Sequence, residues 1–203
     1  MDEILEIKNA MQNDRPVDWD ALPDIDLYMD QVVSYLSRQS TGGKAPLITS
    51  AMINNYVKDG LLPRANGKRY NREHLVYLTM IGVLKNVLTV KDMQLLTSCS
   101  GTTSIQDSYA EFLQYVDESY NGVNSALDAS MTSDDLVRTA MILALASAAS
   151  KTACEHILGI IRSQNEAMEA VQKDSKTKKE KEPKKAKSKD PASDPVANGA
   201  ENA

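Results

Sequence analysis

Apolar residues recur along this chain at helical spacing, interrupted by short stretches of Gly, Pro, Ser and Thr. From Ile25 to Gln39, Leu27, Tyr28, Val32, Val33 and Leu36 fit a helix with one buried face. The segment STGGKAP then breaks the pattern through Gly42, Gly43 and Pro46. Thr49 or Ser50 is a good N-cap for a short helix whose stripe is Met52, Ile53, Tyr56 and Val57, and Gly60 stops it. Leu61 and Leu62 continue the core contact before Pro63. Asn66-Gly67 then reads as a two-residue hairpin turn. Asn71 caps a third helix carrying Leu75, Leu78, Ile81, Leu84 and Leu88, running to about Val87. Thr89 and Asp92 resemble a capping box for a fourth, ending near Leu96.

Two longer helices follow a Ser/Gly/Thr loop at 97–103. The first is capped by Ser104 and Asp107 and steps through Tyr109, Phe112, Val116, Tyr120, Val123 and Leu127. The second starts at Thr132 or Ser133 and reaches about Val171. Its portion LVRTAMILALASAA is apolar on most sides, which calls for burial against other helices or a second subunit. Beyond Gln172 no apolar periodicity remains, and the segment is expected to be disordered.

The chain therefore divides into an acidic arm (1–24), with Trp19 as a residue that could dock on the core, a compact head (25–96), a helical extension (97–171) and a Lys-rich tail (172–203). Net charge is −5, yet its distribution is uneven. Residues 1–43 carry −6, 44–91 carry +6, 92–171 carry −8 and the tail +3. A basic block between acidic flanks marks a local field suited to phosphate. Cys99 and Cys154 are the two cysteines, a usage that fits a reducing cytoplasm. The acidic start MDEILEIKNA lacks the basic opening of a secretory signal, and no apolar run is long enough to span a bilayer. His74 and His156 stand apart, with no Cys-x-x-Cys or paired His, so no metal or other cofactor is expected. No nucleophile is paired with a base, and an enzyme is the weakest reading.

The order helix, turn, helix, Gly-Leu-Leu-Pro, hairpin, helix is that of a winged helix-turn-helix, in which the second helix enters the major groove and the wing meets flanking phosphates. The outward positions of helix 49–59 include Ser50, Asn54, Asn55 and Lys58, and Asn pairs bidentately with adenine. Arg64, Lys68, Arg69 and Arg72 suit phosphates or a narrow minor groove. Tyr56 and Tyr70 are expected to anchor helix and wing in the core. The partner implied is double-stranded DNA, bound by a homodimer, with no membrane involvement and no identifiable effector.

The stretch TSAMINNYVKDGLLPRANGKRYNREHLVYLTMIGVLKNVLTVKDMQLL resembles the head of MerR-type regulators. The matching residues are Tyr56, Gly60, Leu61, Leu62, Pro63, Lys68 or Arg69, Tyr70, Leu75 and Leu78. From LYMDQVVSYL onward, over about residues 25–100, the chain more closely resembles an uncharacterised bacterial family known only as a domain of unknown function. The resemblance implies a mainly α protein: a MerR-like winged helix-turn-helix head, an α-helical extension and a disordered C-terminal tail. It also implies a DNA-binding transcriptional regulator. Such heads usually carry Arg-Tyr-Tyr where this chain has Asn54-Asn55-Tyr56, and here the first interhelix connection is longer and the wing shorter. A protein-interaction adaptor on the same scaffold, without DNA affinity, is the alternative; the acidic balance of 92–171 and the missing arginine favour it.

Overall fold

A computed structural model describes residues 2–39, 48–99, 104–128 and 130–180. Among these the protein is mainly helical, with seven α-helices and one sheet of two short strands. The helices are α1 (Asp2–Asn13), α2 (Met29–Gln39), α3 (Ser50–Lys58), α4 (Arg72–Leu84), α5 (Val90–Cys99), α6 (Ile105–Ser125) and α7 (Ser133–Glu180). The strands are β1 (Leu27–Tyr28) and β2 (Arg69–Tyr70), and a 3₁₀ turn covers Trp19–Ala21. The chain forms two units, residues 1–162 and 163–203, and α7 contributes to both. The segment STGGKAP, expected to break the pattern after α2, lies outside the described residues. Of the expected disordered tail, 172–180 are the end of α7, and 181–203 lie outside the described residues.

Helix α4 is the centre of the first unit. Leu75, Val76, Leu78 and Ile81 point to more than one side of it and are all buried, as a helix surrounded by other elements requires. It packs against β2 on one side and α6 on another. Helix α6 presents Tyr109, Phe112, Leu113 and Val116 to the core at the i, i+3, i+4, i+7 spacing of one face. Helix α2 contributes Val32 and Leu36 and touches α3 and both strands.

The core runs without interruption from Leu22 to Leu158. It draws on residues from both sides of position 96, where a head was expected to end and an extension to begin. The acidic arm is also part of it. Trp19 packs against the core, Tyr109 donates a hydrogen bond of 2.7 Å to the Val17 carbonyl, and Arg15 grips Asp117 through two bonds of 2.6 and 3.1 Å. Burial pushes the Tyr109 phenol well above its ordinary range. The Asp117 carboxylate does the same for the Arg15 guanidinium.

The first stretch of α2 differs from the sequence reading. Leu27 and Tyr28 belong to β1, antiparallel to β2, with Leu27 opposite Tyr70 and Tyr28 opposite Arg69. Alternation explains it: Leu27 and Tyr70 are buried, while Tyr28 and Arg69 face outward. From Ser133 to Ala153 of α7 only Thr139 and Leu143 are half-covered, so among the described residues the apolar portion expected to be buried against other helices or a second subunit is largely exposed.

Candidate nucleic-acid interface

Helix α3 begins where Thr49 accepts a hydrogen bond of 3.3 Å from the Met52 amide. It ends at Gly60, whose φ of +77° carries the chain into a left-handed turn. The Leu61 and Leu62 amides then both donate to the Tyr56 carbonyl, at 2.9 and 3.1 Å, satisfying the helix terminus. Gln94 of α5 donates to the Asp59 carbonyl at the same end. Both ends are fixed, and so is the rotation of the helix. Ile53 and Tyr56 are buried, with Met52 and Val57 flanking them. Ser50, Asn54, Asn55 and Lys58 occupy the opposite, exposed arc.

The wing is built around a turn in which the Asn66 and Arg69 backbones exchange hydrogen bonds of 3.0 and 3.1 Å. Its central pair is Gly67-Lys68 rather than Asn66-Gly67, because Gly67, with φ of +66°, takes the first central position. Arg64, Lys68 and Arg69 are exposed. Arg69 lies over the Tyr28 ring, 5.3 Å from its centre, and donates to the Tyr28 hydroxyl at 3.3 Å. Arg72 is half-buried, 5.5 Å from the centre of the Trp19 ring, and donates to the Pro23 carbonyl at 3.4 Å. Stacking keeps a guanidinium charged while restricting its rotamers, which reduces the entropy lost when it meets an anion.

Tyr70 and His74 anchor this wing from below. Tyr70 is buried, which raises its phenol above the ordinary value, and the His74 ring meets it edge-on at 5.4 Å. The His74 Nε2–H donates to the Arg64 carbonyl at 3.2 Å, while Nδ1 accepts from the Asn71 amide at 3.2 Å. Asn71 in turn accepts from the His74 amide, closing a capping box with His in the third position. One imidazole thus ties the start of the wing to the start of α4. Tyr56 is likewise buried with its phenol raised, so both tyrosines are core anchors as the sequence implied.

Four of the eight expected contact residues therefore lie on one arc of α3, three are exposed on the wing, and Arg72 is partly withdrawn. Tyr28, Trp19 and His74 were not foreseen as parts of the site. The inward–outward alternation at Leu27-Tyr28 is the one sequence signal that could have found the first of them. Among the described residues, three ion pairs occur, and none involves α3 or the wing. No helix there is long and apolar enough to cross a membrane. The family described as a domain of unknown function (DUF1836) matches residues 17–123. No curated protein and no solved structure matches the chain.

Proposed function

The chain belongs to the DUF1836 family, whose match spans the end of the arm from Val17, α2–α5 and most of α6, and on that footing we propose that it is a sequence-selective DNA-binding transcriptional regulator with a MerR-like winged helix-turn-helix head. The observation that carries this reading is the exposed polar arc of α3, followed in sequence by a wing whose exposed side chains include Arg64, Lys68 and Arg69. Helix α3 enters the major groove. Asn54 and Asn55 read base edges there, with Ser50 and Lys58 at the margins of the contact. Lys68 and Arg69 reach phosphates, and the aromatic support under Arg69 holds it in place for them.

The test is binding to mixed genomic duplex fragments over a salt series. Selective binding that weakens steeply with salt is expected. Lys68→Ala lowers the magnitude of the log–log salt slope by about 1, and Asn54→Ala relaxes selectivity while leaving that slope unchanged. Absence of binding at low salt refutes the proposal. It would favour an interaction adaptor instead, a reading that the engagement of half-buried Arg72 with the Trp19 ring and the Pro23 carbonyl supports.

A further inference from the structure

Two apolar features of the first unit lack a counterpart among the described residues. One is convex: the exposed stretch of α7, where Val137 is 71 %, Met141 60 %, Ile142 53 % and Leu145 63 % exposed. From Thr139 to Ser150 it contains no charged residue. The other is concave: a groove of about 620 Å³ where α4, α5 and α6 meet, walled by Tyr77, Met80, Leu84, Leu96, Phe112 and Tyr115. Leu96 and Tyr115 are themselves 37 % and 55 % exposed at its mouth.

We infer that α7 of one copy of this chain lies in the α4–α5–α6 groove of a second copy, and that the exchange is reciprocal. Spacing, charge and area support this occupant. Met141, Ala144, Leu145 and Ala148 stand at i, i+3, i+4 and i+7, the pattern by which a helix fills an apolar groove. The small residues between the large ones allow close approach. Charges border both partners: Glu111 lies on the groove lining, and Arg138 and Lys151 flank the neutral stretch of the helix. The four large side chains expose roughly 400 Å², a patch of the size that marks an interaction site. Two such contacts related by a twofold axis bury roughly 1,400 Å² in total, within the range of specific protein–protein interfaces. This inference does not depend on the nucleic-acid reading.

Sedimentation of the full-length chain over a concentration series tests it. Wild type is expected to be a dimer. Leu145→Glu on the helix and Leu96→Glu or Tyr115→Glu in the groove are each expected to weaken association at least about tenfold. These positions are exposed, and an unchanged far-ultraviolet circular dichroism spectrum verifies the fold of each variant. Mixing the Leu145→Glu chain with the Tyr115→Glu chain restores a dimer, because one intact helix then meets one intact groove. Arg138→Glu weakens the dimer, and mixing it with Glu111→Arg recovers it. A groove variant that dimerises like wild type would assign the contact to helix against helix and overturn the inference. Failure of the mixture to associate, or a monomeric wild type whose groove takes up an apolar dye, would overturn it equally.

Discussion

Replacing Asp92 by alanine separates two roles that its carboxylate combines. Asp92 is buried at the start of α5, where it accepts from the Thr89 hydroxyl at 2.6 Å and the Thr89 amide at 3.3 Å, and it also pairs with Arg162 of α7. The Asp92 amide donates back to the Thr89 hydroxyl at 3.3 Å. Losing such a reciprocal cap costs about 1 kcal/mol. The charge-assisted bond from the Thr89 hydroxyl adds about 1.5 kcal/mol. The ion pair adds no more than about 0.5 kcal/mol, because the Arg162 side chain is 48 % exposed and its charge is screened by water. Asp92→Ala should therefore cost between about 2 and 3 kcal/mol in urea unfolding, and Arg162→Ala only about 0.5 kcal/mol. The same ordering sets the pH dependence. The Thr89 hydroxyl first, then its amide and Arg162, hold the Asp92 carboxyl below the ordinary carboxylate range against the opposing effect of burial. A group depressed on folding stabilises the protein above its unfolded pKa of about 3.9, and that stability is lost as pH falls below it. The gap between wild type and Asp92→Ala should be full at neutral pH and shrink below about pH 4. If Arg162→Ala proved as costly as Asp92→Ala, the carboxylate would serve the ion pair before the cap, and the reasoning would fail.

Three further outcomes follow from the geometry. Gly60→Ala should cost about 1 kcal/mol by urea midpoint, purely from the left-handed backbone; an added Cβ would sit 3.8 Å from its nearest neighbour, Gln94 Nε2, so a much larger loss would contradict this. Tyr109→Phe should cost about 1–2 kcal/mol in the same assay, since the Val17 carbonyl loses its donor. His74→Gln should retain more than half of the stability that His74→Ala removes, because a glutamine at that position can still reach the Asn71 amide. Equal losses in the two His74 variants would place its role in the ring contact with Tyr70 instead.

Features governed by neighbours in sequence were legible without the structure. Thr49, Gly60, Asn71, Thr89 and Ser104 mark helix ends because each acts within three or four residues of itself. What depended on distant partners was not. Leu27 and Tyr28 continue the helical spacing of α2 equally well, and only pairing with Tyr70 and Arg69 draws them into a strand. The wing turn shifted by one position because Asn66-Gly67 and Gly67-Lys68 are both acceptable centres locally. Within the candidate site, helical phase identified the exposed arc of α3. The aromatic supports under Arg69 and Arg72 lie 41 and 53 positions earlier, at Tyr28 and Trp19, beyond the reach of any local rule.

The clamp between the arm and α6 has a consequence for the order of folding. Arg15 meets Asp117 across 102 positions, and Tyr109 meets Val17 across 92. During synthesis the arm emerges ahead of the residues that hold it, which are added roughly a hundred peptide bonds later. The arm must therefore remain unattached until α6 clears the ribosome, and its attachment closes a loop of about a hundred residues. The arm serves as the final latch on a core that assembles ahead of it.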